Sequence, residues 1–123
     1  MNLKGKAAEH FVICQCLLNG IECFYATSDN KVDLIVGSSK FRCQIKVIQY
    51  VGKCWQLPLR KTGGQNYHEY RYTSDDVDFM IGVDFNTFDI YIIPINSVTD
   101  YSTYVTIGTL ERLGFKNNIE ILK

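Results

Sequence analysis

The chain has 123 residues, 46% of them hydrophobic, with a formal net charge of zero and a pI near 6.7. That suffices for one compact domain over residues 1–123 with a single core, and the balanced charge argues against a protein that draws a polyanion through its overall field, leaving local patches such as Lys4 and Lys6, or Lys53, Arg60 and Lys61. Five cysteines without a CxxC pair or a histidine box argue against a zinc site and suit reduced thiols in the cytoplasm, while the lack of a charged-then-apolar leader and of an apolar run of about 18 residues disfavours secretion and membrane spanning.

Residues 3–19 read as an opening helix. Leu3, Ala7, Phe11, Cys14 and Leu18 recur at three- and four-residue steps as one apolar stripe, and Asn19-Gly20 is a C-terminal stop. Val12, Ile13 and Cys16 lie on the other side, around Glu9. A helix apolar on nearly all sides is expected to be covered twice, by its own sheet and by something else, such as a second subunit. Glu9 is either an exposed acid meeting the helix dipole or a group at the edge of a site. Cys14 and Cys16 point about 200° apart on a helix and cannot share one ion. A strand over residues 22–26 and a polar turn at Thr27-Ser28-Asp29-Asn30 follow.

Residues 31–48, KVDLIVGSSKFRCQIKVI, form a hairpin around Gly37-Ser38-Ser39-Lys40. A two-residue turn at Ser38-Ser39 and a four-residue turn over residues 37–40 give the same register, with Val36 opposite Phe41, Leu34 opposite Cys43 and Asp33 opposite Gln44. Period-two alternation puts Val32, Leu34, Val36, Phe41, Cys43, Ile45 and Val47 on a core face, and Asp33, Ile35, Arg42, Gln44 and Lys46 on the other. Half-buried antiparallel sheets turn polar residues to water, so alternation alone leaves this second face either a solvated surface or a site.

Beyond residue 49 the pattern loosens. Cys54-Trp55-Gln56-Leu57 suits a strand before Pro58, and residues 60–66, RKTGGQN, a basic loop whose guanidinium, ammonium and glycine amides suit either a phosphate backbone or plain solvent. Residues 67–72, YHEYRY, interleave aromatics with His68 and Arg71, which fits groove contacts or a strand with Arg71 outward. Thr73-Ser74-Asp75-Asp76 caps one helical turn; Asp75, Asp76 and Asp78 lack the glycine and terminal glutamate of a calcium loop. Strands over residues 78–84 and 88–93 follow, the first apolar on both faces, with Pro94 as the end. A short helix over residues 107–113 closed by Gly114 and an apolar tail at residues 119–122 complete a mixed α/β (α+β) pattern.

The order of Glu9 in GKAAEHF, Asp33 in VDLIV, and Gln44 with Lys46 in QIKV resembles the PD-(D/E)XK nuclease superfamily in its Gln-x-Lys variant, and more narrowly the small intron-encoded homing endonucleases. The likeness spans most of residues 4–95, with four short anchors at its catalytic part. It implies a restriction-endonuclease-like mixed β-sheet core with an N-terminal helix in αβββαβ-type order. It further implies a Mg²⁺-dependent endodeoxyribonuclease, with Mn²⁺ as substitute. Asp33, Gln44 and Glu9 would hold the metal, and Lys46 would orient or deprotonate the attacking water. Double-stranded DNA would be met by Lys4, Lys6, Arg60, Lys61, His68 and Arg71. Cutting two strands implies a homodimer or homotetramer. The alternatives are a non-catalytic nucleic-acid-binding or assembly domain that keeps the fold, and a junction-resolving or repair nuclease. Asp29 rivals Asp33 as the anchoring carboxylate, but its TSDN setting is turn chemistry.

Overall fold

The computed structural model describes residues 2–26, 31–61, 70–98 and 103–123. In chain order it contains α1 (Leu3–Leu18), β1 (Cys23–Tyr25), β2 (Leu34–Val36), β3 (Phe41–Val47), β4 (Gln49–Val51), β5 (Cys54–Pro58), a short pair β6 (Arg60–Lys61) and β7 (Tyr70–Arg71), β8 (Phe79–Asp84), β9 (Asp89–Pro94), a 3₁₀ turn (Ile95–Val98), β10 (Tyr104–Thr106), α2 (Ile107–Arg112) and a last 3₁₀ turn (Ile119–Leu122).

The main sheet has the order β1-β2-β3-β8-β9. The β2–β3 hairpin takes the expected register, Leu34 opposite Cys43 and Val36 opposite Phe41. A four-residue turn closes it, in which Gly37 at φ 77° donates its N–H to Glu22 O and its carbonyl accepts from Lys40 N. A Cβ on Gly37 would stand 2.7 Å from Leu122 O, so both the left-handed backbone and the docked C-terminus require glycine. β8 runs parallel to β3, with Gln44 beside Met80 and Lys46 beside Gly82, and β9 returns antiparallel. All six β8 residues are buried, as the doubly apolar pattern predicts for a covered central strand.

In place of the single core expected from size, the sheet divides the interior into two, and each of its faces carries its own core. On one side Ala8, Val12 and Cys16 of α1 pack on Leu34, Val36, Cys43, Ile45, Ile81 and Val83. On the other, a second sheet of order β10-β5-β4 packs with α2 on Met80, Tyr91 and Ile93. Gly82 sets how closely they approach, since a Cβ there would lie 2.8 Å from Leu57 Cδ1 and 2.9 Å from Ile48 Cδ1. The outer edge of β9 is met by two asparagines: Asn117 Oδ1 accepts from Ile90 N, while Asn118 accepts from Ile92 N and donates to Ile92 O.

Three expectations are corrected. Of the stripe Leu3, Ala7, Phe11, Cys14, Leu18 only Phe11 packs on the core: Leu3 and Leu18 are 71% and 76% exposed, and the buried line of α1 is Ala8, Val12, Cys16 at four-residue steps. Small residues win because they let the helix axis approach the sheet. Val32 joins the second core, opposite Leu34 and Val36, because regular pairing stops at Leu34 and Asp33 N donates instead to Cys43 O, which resets the alternation. Arg42 is taken from the polar face into a clamp. Its guanidinium donates to both Asp78 oxygens and to the carbonyls of Ser74 and Asp75, pinning the chain entering β8 to the start of β3. Residues 27–30, with Asp29, lie outside the described residues, as do residues 62–69. No helix among the described residues is long and apolar enough to cross a membrane.

Candidate active site

Followed along β3 toward Val47, β2 reaches no further than Leu34, its first residue, opposite Cys43, while β3 continues to Val47. β3 therefore has a stretch of edge that no β2 backbone covers, and Asp33 fills it with a side chain. Its Oδ2 accepts from Ile45 N at 2.8 Å, its N donates to Cys43 O at 2.9 Å, and its carbonyl accepts from Ala26 N at 3.1 Å. A carboxylate standing in for a strand carbonyl is fixed by the sheet, and its Oδ1 has no hydrogen-bond partner among the described residues.

The same edge opens a cleft of about 540 Å³. Asp33, Gln44 and Lys46 line it from the sheet, Lys6 and Glu9 from α1, and Pro58 from β5. Glu9 is not the exposed acid of the alternative reading: its side chain is only 13% exposed, beside the buried line of α1, and pairs with Lys6 Nζ at 3.5 Å. Burial pushes the Asp33 carboxyl above the ordinary carboxylate range. The Ile45 N–H opposes this, Glu9 adds to it, and Lys46 and Lys6 oppose it. One electrostatic field thus joins two carboxylates and two lysines.

Gln44 is 7% exposed, and its Oε1 is buried without a hydrogen-bond partner. Leaving such an oxygen unmatched costs roughly 1–3 kcal/mol, and an amide oxygen beside carboxylates is what a hard divalent cation binds. Asp33, Gln44 and Glu9 therefore fit such an ion, as two carboxylates and a neutral amide. No group of three His, Cys, Asp or Glu able to hold a metal occurs among the described residues. Lys46 Nζ lies 5.4 Å from the ring centroid of buried Tyr72, which fixes one side of the ammonium.

The basic residues are spread more widely. Lys4 and Lys6 are exposed on the first turns of α1, and Lys6 Nζ also lies 5.9 Å from the Tyr25 ring. Arg60 pairs with Arg71 and Lys61 with Tyr70 across the β6–β7 ribbon, which begins two residues after Pro58. His68 lies outside the described residues. One residue packed behind the cleft and one that lines it escape sequence reasoning. Tyr72 is 26 positions from Lys46 and no spacing rule joins them. Asn2, whose Oδ1 accepts from Gly5 N at 2.9 Å, had a signal in the preference for Asn at a helix N-cap. All five cysteines are free thiols; Cys43 and Cys16 are buried, and burial pushes the Cys43 thiol well above its usual range.

A helix laid over a mixed five-stranded sheet, with carboxylates, an amide and a lysine meeting at the edge of its third strand, defines a nuclease-type scaffold. The model of the PD-(D/E)XK endonuclease family matches residues 1–119, and the chain belongs to that family. A solved bacterial homing endonuclease, I-Ssp6803I, is similar in fold: 20% sequence identity, a TM-score of 0.74, and an alignment covering 86% of this chain and 76% of that one. No curated protein matches the chain. PD-(D/E)XK nucleases generally depend on a divalent metal.

Proposed function

We propose that the chain is a metal-dependent DNA endonuclease of the homing type that hydrolyses phosphodiester bonds in double-stranded DNA as an oligomer. The observation that carries this reading is that Asp33, Lys46 and Gln44, whose buried side-chain oxygen has no partner among the described residues, line one cleft. Asp33, Gln44 and Glu9 would hold Mg²⁺, with Mn²⁺ as a substitute of the same oxygen preference. A divalent cation supplies charge compensation on the phosphate and a more acidic water. Asp33, held by Ile45 N, keeps one carboxylate oxygen available. Gln44 leaves the site one negative charge short of a two-carboxylate arrangement on the sheet, which makes Glu9 the compensating acid. Lys46, steadied over Tyr72, orients the attacking water and contacts the scissile phosphate. Lys4 and Lys6 extend the positive edge of the cleft, with Arg60, Lys61, His68 and Arg71 as further backbone contacts. Self-association is supported by the apolar face of α1 that the sheet leaves bare, with Leu3, Leu17 and Leu18 at 59–76% exposure; two facing sites cut both strands.

The test is incubation of supercoiled plasmid with the protein and Mg²⁺, Mn²⁺ or chelator. Nicking that needs the metal and is lost in Asp33→Ala and Lys46→Ala supports the proposal. DNA binding without turnover under every metal marks a non-catalytic module instead.

A further inference from the structure

A second hollow of about 400 Å³ opens beside the cleft, and Asn2, Val47 and Gln49 line both, so the two adjoin. Its far wall is Tyr50 and Trp55, with Lys4 at its rim. Tyr50 and Trp55 are cross-strand partners on the β4–β5 hairpin, their ring centroids 5.1 Å apart at an interplanar angle of 50°. Alternation puts Trp55 on the same side of β5 as Leu57, and Leu57 is buried against the main sheet. Two residues earlier there is no sheet left to cover it, and Trp55 and Tyr50 are 36% and 59% exposed. Two partly exposed aromatic rings on an otherwise core-facing side, in a hollow that adjoins the cleft and that Lys4 also lines, have the chemistry of a nucleotide site: flat apolar surface for a base and positive charge for its phosphate.

We propose that Tyr50 and Trp55 form a stacking site for an unstacked nucleobase of the DNA, next to the phosphate held in the cleft. This rests on the nuclease reading of that cleft. Bases inside a duplex stack on one another, so the site takes a base that is displaced at the cut or already single-stranded, and it makes the enzyme prefer DNA that is locally open or easily distorted there.

Trp55 is the single tryptophan of the chain, so intrinsic emission reports on this site alone. The intact protein is titrated in chelator with a short single-stranded oligodeoxynucleotide and with its duplex, while the anisotropy of a labelled strand reports binding. The expected result is quenching of Trp55 that saturates together with the anisotropy, stronger for the single strand. Trp55→Ala should weaken binding on the order of ten-fold or more, and Trp55→Phe, which keeps a ring, much less; far-ultraviolet circular dichroism shows whether each variant is folded. A rise in anisotropy with unchanged Trp55 emission overturns the stacking site and leaves the nuclease reading standing. Failure to bind either DNA overturns both. Emission that shifts with protein concentration alone, and not with DNA, assigns the rings to contact between copies of the chain and overturns the stacking site.

Discussion

Gln44→Glu puts a carboxylate where the structure has a buried amide with an unmatched oxygen. In the metal-free protein the new group would be an acid at a position 7% exposed, in one cleft with Asp33 and Glu9 and with no donor waiting for it. An uncompensated buried charge costs about 3–5 kcal/mol. For a chain of this length roughly 3–6 °C of melting temperature go with each kcal/mol, so Gln44→Glu in chelator at neutral pH should melt roughly 10–30 °C below the parent. Two conditions should restore it. Acidification through the carboxylate range neutralises the new group and narrows the gap. Mg²⁺ does the same at neutral pH: a single concentration of about a hundred times the parent's dissociation constant adds about 2.7 kcal/mol to the parent, and more to the variant because it binds the ion more tightly. Differential scanning calorimetry across pH, with and without metal, reads all three quantities. A variant that melts with the parent in chelator, or gains no more than the parent from Mg²⁺, would refute the placement of Gln44 in an ion's shell.

Burial holds the Asp33 carboxyl above its ordinary range. Its protonated form therefore contributes stability below the unfolded-state value, and that contribution is lost as pH rises through the raised folded value. Asp33→Asn cannot ionise and still accepts from Ile45 N, so in chelator it should melt above the parent at neutral pH, with the gap closing in acid; thermal melts against pH check this. Gly37→Ala meets both a φ of 77° and Leu122 O at 2.7 Å, and should cost about 2 kcal/mol or more by urea unfolding. Arg42→Ala frees the Ser74 and Asp75 carbonyls and the Asp78 carboxylate. Both charged side chains are more than a third exposed, so the loss is discounted to about 1–2 kcal/mol. Because Arg42 holds the Asp78 carboxyl below its usual range, that contribution is present above the unfolded-state value and lost as pH falls through the folded one; denaturant melts at two pH values separate the cases.

The hairpin was legible because its register rests on the centre of the turn: the two-residue and the four-residue turn centred on Ser38-Ser39 both put Leu34 opposite Cys43. The alternation failed further on, at Val32, where pairing stops and a side chain takes over the ladder. That failure coincides with the site, since Asp33 is available to a ligand because pairing with β2 stops there. The helix face was misread because α1 is apolar on both sides and periodicity cannot choose between them. What decides is volume, and Ala8, Val12 and Cys16 fit under the helix where Leu3 and Leu18 would hold it away. Of the second sheet only β5 was marked, by Cys54-Trp55-Gln56-Leu57 before Pro58, while β4 and β10 had no local signal strong enough to mark them. Nor did the contact of Lys46 with Tyr72, which exists only after β3 and the chain entering β8 are brought side by side. The carboxylate, amide and lysine were found by a motif, whereas the hydrogen bond that orients Asp33 comes from a backbone amide, which no side-chain pattern reveals.

The proposal turns on one place, the edge of β3 beyond its pairing with β2, where an ion would sit among Glu9, Asp33 and Gln44. Fe²⁺ substituted for Mg²⁺ and treated with ascorbate and peroxide cuts the polypeptide near wherever it binds, and mass spectrometry locates the breaks. Cuts confined to the neighbourhoods of Glu9, Asp33 and residues 44–46, suppressed by excess Mg²⁺ and absent in Asp33→Ala, are the predicted result. Cuts elsewhere, or a pattern unchanged by Mg²⁺ or by the loss of Asp33, would contradict it.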